Sequence, residues 1–315
     1  MSPVVLVGVD GGEPALVAVS WAAREAVHRG AMLRLLAVTP WAADPIPSAW
    51  VAAAGARAAR VALAEARLAV AAARAAEHLP ETRVEQSVRE GVPADELGRA
   101  SERAELVVIG GPVGGWAGTM LGVALAGRAS CPLVVVERPG RPAADGGIVV
   151  GVDGAEDGDA ALAVAFREAG ERGLPLEVVH AWSDTPLDAG TEDLDFAAFA
   201  PDVRRVLDAR IAAWRRAYPA VPVRHTVVRD RPERALVQAS RGAHLVVLGA
   251  RGRSGVIGLG AVGRRVVLLA ECPVAIVRAW KSSESSPSTG HPGAGRVRRR
   301  GPAAGAGRRG SPAAG

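Results

Sequence analysis

Short runs of β-branched and aliphatic residues alternate with longer helical patterns over residues 3–279. Such apolar runs, bounded by turn residues, are typical of buried strands, and the stretches between them have the length of crossover helices. The alternation predicts βαβ units, and therefore parallel sheets with helices on both faces. The predicted strands are Val4–Val9, Leu33–Val38, Arg83–Val88, Leu106–Ile109, Leu133–Val136, Ile148–Val152, Leu176–Ala181, Val223–Val228, Leu245–Leu248 and Val274–Val277. The predicted helices are Pro14–Arg29, Pro47–His78, Pro93–Glu102, Leu121–Ala129, Asp157–Arg172, Phe196–Ala217, Pro232–Arg241 and Ala261–Ala270.

Three signatures occur twice in the same order, and the spacing within each pair is nearly the same. These pairs are Val7–Gly11 with Val150–Gly154, Leu106–Gly111 with Leu245–Ala250, and Cys131–Pro132 with Cys272–Pro273. They indicate a duplicated domain and exclude a solenoid, whose period is roughly 20–50 residues. The chain is therefore predicted to be α/β, with two tandem open five-stranded parallel sheets. We expect domains at 1–139 and 146–279, a linker at Pro139–Gly146 and a disordered basic tail at 280–315.

Composition refines this picture in two ways. Hydrophobic residues make up 49% of the chain but aromatic residues only 3%, which predicts aliphatic, alanine-rich cores. The net charge of +5 comes from the tail, which carries seven basic residues and one acidic residue and leaves the predicted domains near −1. A nearly neutral body argues against a general polyanion-binding surface, so no specific nucleic acid is expected as a partner.

The tail is rich in serine, proline, glycine and alanine and has no apolar periodicity, which predicts disorder. It is either a solvated appendage or a weak contact for nucleic acid or acidic partners through Arg298–Arg300.

The two cysteines, Cys131 and Cys272, occupy equivalent places before a proline and an apolar strand. That setting predicts buried structural thiols in a reducing compartment, and hence a cytoplasmic protein. No apolar stretch approaches the length that a membrane span requires, so we expect no membrane association. The apolar run Val4–Val9 ends at Asp10 without a preceding basic segment, which predicts a first strand and not a signal peptide.

A glycine-rich segment, Gly249–Gly263, follows a predicted strand and leads into a predicted helix. Glycines let backbone N–H groups approach a phosphate, and a helix N-terminus adds a favourable dipole. Arg251 and Arg253 can add charge-assisted hydrogen bonds. The segment is neither a Walker A loop, since Gly-Lys-Ser/Thr is absent, nor a dinucleotide fingerprint after a first strand.

The chain resembles the universal stress protein family in its tandem two-domain form. The resemblance is carried by the Val-Gly-Val-Asp-Gly signatures, Trp21–Ala23, His180–Trp182, the glycine-rich segment and Ala270–Val274. It implies strand order 3-2-1-4-5 in each sheet and intramolecular pairing of the two domains through their fifth strands, and it leaves a homodimer open. For one branch of the family it also implies ATP or AMP bound at the loop. The candidate nucleotide-binding residues are Asp10, Asp153, Gly249, Arg251, Gly252, Arg253, Gly260 and Ala261.

The second copy departs from the pattern of the nucleotide-binding branch. In that pattern the second and third glycines are further apart, and a hydroxyl residue follows the third. Here the interval from Gly252 to Gly260 is two positions shorter, and the hydroxyl position is Ala261. Loss of one charge-assisted hydrogen bond costs about 1.5–3 kcal/mol, which weakens a phosphate site without abolishing it.

The first copy departs further. In Gly110–Gly122 a proline removes a donor and no arginine occurs. Either Gly118–Thr119 or Gly122–Val123 is a candidate for the terminal pair, and Trp116 is expected inside the loop, where it can plug the site. Nucleotide is therefore expected in the second copy rather than the first.

Several residues have two interpretations. Asp10 and Asp153 contact either a ligand's sugar or base, as in the family, or backbone N–H groups of their own turn. His180 is expected to be packed rather than catalytic. No catalytic constellation repeats between the copies and no metal-ligand spacing occurs, so neither an enzyme nor a metal site is expected.

The leading hypothesis is a nucleotide-sensing stress protein. The alternatives are a protein-interaction module of the non-binding branch and, third, an ATP-consuming enzyme.

Overall fold

The computed structural model describes residues 2–40, 50–80, 83–111, 116–137, 146–153, 156–182, 196–250 and 259–278. Strands and helices alternate, as predicted. The strands are β1 (Val4–Gly8), β2 (Met32–Thr39), β3 (Val84–Glu90), β4 (Leu106–Gly110), β5 (Leu133–Val136), β6 (Ile148–Gly151), β7 (Leu176–Trp182), β8 (Val223–Arg229), β9 (Leu245–Gly249) and β10 (Val274–Val277). The helices are α1 (Glu13–Arg29), α2 (Trp50–Ala76), α3 (Pro93–Ser101), α4 (Trp116–Ala126), α5 (Glu156–Arg172), α6 (Phe196–Ala217), α7 (Pro232–Ala239) and α8 (Ala261–Leu269).

The ten strands form one continuous sheet in the order β3-β2-β1-β4-β5-β10-β9-β6-β7-β8. Each half has the predicted 3-2-1-4-5 order with parallel pairing, and β5 pairs antiparallel with β10. The order is the same from either end, so the halves are related by an approximate two-fold axis between β5 and β10. Because that central pair is antiparallel, the carboxyl ends of the strands lie on opposite edges of the sheet in the two halves.

Both faces of the sheet are covered because the buried strands are apolar at every position, as in β4 and β5. One buried cluster joins one sheet face to α1, α2, α5 and α6. A second cluster joins the other face to α3, α4, α7 and α8. Both clusters run through the central strands, so the two halves share their cores.

A four-charge group, here called the junction cluster, ties α1 to α5 beside the two-fold axis. It consists of Glu25, Arg29, Glu168 and Arg172, whose side chains are only 4–11% exposed. Arg29 Nη2 donates to Glu168 Oε1 at 2.5 Å, and Arg172 Nη2 donates to both carboxylate oxygens of Glu25 at 2.7 Å. Burial disfavours the charged form of Arg29 and so lowers its pKa, but the carboxylates of Glu168 and Glu25 outweigh this effect and hold the pKa above its ordinary value. The cluster satisfies charges that neither half could bury alone.

The helix pairs beside the sheet differ between the halves. In the second half Phe166 packs against Trp214 and Tyr218, with ring centroids 5.9 and 5.8 Å away. In the first half the equivalent positions are the fully buried alanines Ala23, Ala71 and Ala75. The same packing of two helices is therefore built from aromatic rings in one half and alanines in the other.

Helix α4 begins at Trp116, not at Leu121 as predicted. A glycine within a helix costs only about 1 kcal/mol, and burial of residues such as Leu125 against the sheet outweighs it. Gly118–Thr119 and Gly122–Val123 consequently lie inside the helix, so the prediction that one of them ends a phosphate loop is wrong. Trp116 is likewise the first residue of a helix and not part of the loop.

Within the described residues, none of the helices is long and apolar enough to cross a lipid bilayer. The predicted linker lies largely outside the described residues, and the tail prediction lies entirely outside them.

Candidate functional site

The candidate site of the second half lies at the carboxyl ends of β6 and β9. These strands are parallel neighbours, with Val150 opposite Val247. Asp153 follows β6 closely, and Gly249 is the last residue of β9, so both reach the same edge. Ligands of open α/β sheets bind at this edge. The structure therefore brings two of the predicted site residues together.

Helix α8 brings its N-terminus to this edge. Gly260 is its N-cap, with φ −65° and ψ 173°, and it has no side chain to occupy the first-turn N–H groups. Ala261 is the first helical residue and is exposed to solvent. The first N–H groups of a helix have no acceptor within the helix, and the helix dipole favours an anion there. Arg251, Gly252 and Arg253 lie outside the described residues.

The connection before this helix differs strongly between the halves. Residues 250–260 link β9 to α8, whereas only residues 111–115 link β4 to α4. A phosphate-binding turn needs enough chain to curve around its ligand. The first half has less than half the length available to the second.

Asp10 lies on the opposite edge of the sheet, with four strands between β1 and β6. Its Oδ1 accepts a hydrogen bond from Gly12 N at 2.8 Å, so this carboxylate stabilises its own turn. Gly11, between them, has φ +86°, a backbone conformation that favours glycine. Asp10 is therefore not part of the site that contains Asp153.

The close packing of α1 further narrows the first-half edge. A Cβ atom added to Gly110 would lie 2.5 Å from the backbone carbonyl of Pro14. The first turn of α1 thus lies directly against the end of β4, where the phosphate turn would begin.

Two arginines that were not predicted as site residues lie at these edges. Arg67 of α2 lies over Gly11, with its Cγ and Cδ atoms 2.7 and 2.6 Å from the position of an added Cβ. Arg210 of α6 donates from Nε to Asp159 Oδ1 at 2.7 Å. The spacing between the two arginines along the chain equals the spacing between Asp10 and Asp153. That equal spacing is the signal in the sequence that could have identified them.

His180 and the cysteines have structural roles. The ring Nδ1 of His180 lies 2.9 Å from the carbonyl oxygen of Val152, next to Asp153, which agrees with the prediction of a packed histidine. Burial raises the pKa of both Cys131 and Cys272 to about 12, so their thiols stay protonated and unreactive at neutral pH.

No group of three or more potential metal ligands occurs among the described residues. A cavity of about 420 Å³ lies at the amino ends of β6 and β7, lined by residues that include Pro175, Glu177 and Arg224. That is the edge opposite to Asp153 and Gly249. The chemistry of the strand ends, and not cavity size, therefore selects the candidate site.

Comparisons with known proteins agree with this architecture. A family model described as the universal stress protein family matches residues 1–137 and again 147–278. Two universal stress proteins of Mycobacterium tuberculosis are 36% and 35% identical to the chain, over 293 and 288 residues. Each match covers 87% of this chain and 96% of the relative.

The solved structure of a universal stress protein from Archaeoglobus fulgidus covers 88% of this chain and 99% of its own, with 17% identity and a TM-score of 0.64. Shorter matches include universal stress proteins in complex with cAMP and, from Archaeoglobus fulgidus, with dAMP. They cover 44% and 42% of this chain at a TM-score of 0.32. The double family match, the identity to full-length relatives and the shared fold show that this chain belongs to the universal stress protein family, with two copies of the family's domain in tandem.

Proposed function

We propose that this chain is a cytoplasmic universal stress protein that binds one adenine nucleotide, ATP or AMP, in its second half and acts as a nucleotide-sensing regulator. The observation that carries the proposal is the long connection 250–260, which ends at the N-terminus of α8 with a glycine N-cap. Asp153 stands at the end of the neighbouring strand. A phosphate would accept from the first N–H groups of α8, and the nucleoside would extend toward β6.

The groups at the carboxyl ends of β6 and β9 favour a protein that binds the nucleotide without hydrolysing it. Phosphoryl transfer needs bound metal or a general base aligned with the phosphate. No group of three or more potential metal ligands occurs among the described residues, which supply at this edge the carboxylate of Asp153, the ion pair of Arg210 with Asp159 and backbone donors. We therefore propose a binding protein and not an enzyme. Release of phosphate or AMP from ATP above the background of a Gly252→Val variant would contradict this part of the proposal.

Nucleotide binding is tested by titration calorimetry with ATP and with AMP on the full chain. Gly252→Val and Arg251→Ala should each weaken binding, because one narrows the loop and the other removes a charge-assisted donor. We expect at least a tenfold loss for Arg251→Ala. The matched control is Arg103→Ala, an exposed arginine of the first half, which should leave binding unchanged. Absence of binding and of any thermal shift in the wild type at millimolar ATP would overturn the proposal.

A second candidate function is a protein-interaction module. It is favoured by exposed apolar side chains on the sheet face that α4 and α8 cover. Leu268 and Leu269 of α8 are 38% and 48% exposed, and Met120 of the contacting helix α4 is 50% exposed. Ala261 in place of a hydroxyl residue also favours it. Partner capture that is indifferent to Gly252→Val but lost in a Leu268→Ser, Leu269→Ser variant would support this function over nucleotide sensing.

A further inference from the structure

The side of α2 that faces away from the sheet, here called the outward α2 face, is apolar along most of the helix. Four buried residues mark the inward side: Ala64, Leu68, Ala71 and Ala75. The positions opposite them, between Gly55 and Ala76, are exposed and hold only glycine, alanine, leucine and valine. The largest are Leu63 and Val70, which are 52% and 57% exposed. Apolar residues on both sides are typical of a buried helix, so this face is suited to contact with another protein surface.

The central positions of the outward α2 face have the spacing of a contact between two helices. Ala59, Leu63, Ala66, Val70 and Ala73 follow one another at alternating steps of four and three residues. Apolar residues at these steps form the line along which paired helices pack. Because most of these side chains are alanines, two such helices can approach to about 8 Å between their axes.

The equivalent side of α6 in the second half carries charges. Asp202 and Arg216, both exposed, stand where α2 has Ala59 and Ala73. The two helices pack on the same face of the sheet and contribute to the same buried cluster. The duplicated fold therefore does not require an apolar outward side on this helix, and the outward α2 face is a feature of the first half alone.

The charges that border the outward α2 face have opposite signs on its two sides. Glu65 lies on one border, and Arg60, Arg67 and Arg74 recur every seven residues on the other. If two copies of α2 pair in the same direction about a two-fold axis, the arginine border of each copy lies against the glutamate border of the other. Antiparallel pairing would set arginines against arginines. The borders therefore fit a second copy of this chain in the parallel arrangement.

The size of the outward α2 face fits a contact between two helices. The helix extends about 33 Å from Gly55 to Ala76. Two faces of this length and a width of about 10 Å bury on the order of 1,000 Å² in total, which is the lower bound for a specific protein interface.

We propose that the outward α2 face is a dimer interface, in which two copies of this chain pair α2 with α2 in the same direction about a two-fold axis. This contact is separate from the pairing of the two halves within one chain, which uses β5 and β10. It is also independent of nucleotide binding.

The test measures the oligomeric state of the full chain by analytical ultracentrifugation over a concentration series. We expect the wild type to be a dimer. Leu63→Glu should weaken dimerisation at least about a hundredfold, because each copy would bury a carboxylate without an ion-pair partner. Glu65→Arg, which makes both borders positive, should weaken it severalfold. Val206→Glu is the matched control on α6, where the valine is 68% exposed, and it should leave the dimer intact.

Cysteine cross-linking tests the direction of the helices and does not depend on a charged variant. Under air oxidation, Ala59→Cys and Ala66→Cys should each form a disulfide-linked dimer, because each position meets its own copy at a two-fold axis along the helix. Ala209→Cys on α6 is the control and should stay unlinked. The native cysteines do not interfere, since burial raises the pKa of both thiols to about 12.

A monomeric wild type would overturn the inference, because another segment of the chain or a different protein would then cover the outward α2 face. A dimer that persists in Leu63→Glu, or that links Ala59→Cys only to Ala73→Cys, would equally overturn it, by placing the contact elsewhere or reversing the helices. Thermal unfolding of Leu63→Glu separates loss of the dimer from loss of the fold. If that variant fails to fold, the cross-linking result decides.

Discussion

The two halves have the same strand order and helix placement, yet the connections at their ligand edges differ in length. In the first half Asp10 is held by Gly12, Arg67 covers Gly11, and α1 lies against Gly110. In the second half a longer connection ends at a helix whose N-cap is glycine. Duplication has therefore preserved what joins the halves, the central strands and the junction cluster, while each edge was free to change.

The largest difference in stability between the two halves is expected at Phe166 and its first-half counterpart Ala23. The side chain is fully buried and stacks on Trp214. Phe166→Ala should lower the free energy of unfolding by about 3–5 kcal/mol, since it removes the ring and leaves a cavity. Ala23→Gly, at the equivalent position of α1, should cost only about 1 kcal/mol. Urea unfolding monitored by circular dichroism measures both, and equal losses would contradict the aromatic packing at this position of the second half.

The junction cluster should respond in the same way whichever half is changed. Glu25→Gln and Glu168→Gln each leave two buried guanidinium groups short of a carboxylate, and each should cost about 3 kcal/mol. Glu85→Gln, which removes a half-exposed partner of Arg34, is the control and should cost less than about 1 kcal/mol. A loss in only one of the two junction variants would show that the halves do not share this cluster equally.

In the first half, the contact between the start of α1 and the end of β4 depends on Gly110. Gly110→Ala places a methyl group against the backbone of Pro14, which neither side can relieve by a side-chain rotation, so we expect a loss of about 1–3 kcal/mol. Gly122→Ala is the control, because its Cβ would make ordinary contacts of 3.8 and 3.9 Å and glycine is a poor helix former. Thermal unfolding should show destabilisation by the first change only. A neutral Gly110→Ala would mean that α1 does not lie against this strand end.

The weakest effect should be a pH dependence from His244, whose counterpart in the first half is Glu105. Within the described residues both ring nitrogens of His244 are buried without a partner, in a cavity lined also by Glu105, Arg167 and the junction cluster residues Arg29, Glu168 and Arg172. Burial lowers the pKa of His244; Arg172 and His28 lower it further, and Glu25 and Glu168 partly oppose this.

The unfolded chain therefore binds a proton at higher pH than the folded chain does. Stability should fall as the pH drops below about 6.5, the ordinary pKa of histidine. His244→Gln should flatten this slope between pH 7 and pH 5, measured by urea unfolding at each pH. The variant measured at pH 8, where the histidine is neutral in both states, separates the packing change from the charge. A slope that persists in His244→Gln would assign the pH dependence to another group.

The scaffold was predictable from the sequence because buried parallel strands are uninterrupted apolar runs. Strands β5 and β10 have the predicted bounds, and α6 does as well. The predicted domain limits, 1–139 and 146–279, stay a prediction. The start of α4 could not be predicted, because glycine content favours a loop at Trp116 and only contact with the sheet outweighs it.

The site was less predictable, since it depends on where a helix lies along the sheet. Arginines recur along α2, and periodicity cannot tell that Arg67 is the one that reaches the turn. Glu25 and Arg29 have the spacing of an exposed i,i+4 pair, and they are buried only because the two halves meet there. Asp10 and Asp153 occur in identical sequences, and the sequence alone left open the role of Asp10, which the structure shows accepting a hydrogen bond from its own turn.

A nucleotide site in the second half only, as proposed, implies a definite number of nucleotides bound per chain at saturation. Equilibrium dialysis of the full chain against radiolabelled ATP, with protein quantified by amino-acid analysis, gives this ratio. We predict one nucleotide per chain. A ratio of two would show that the first half also binds nucleotide, and a ratio of zero would contradict the site proposed in the second half.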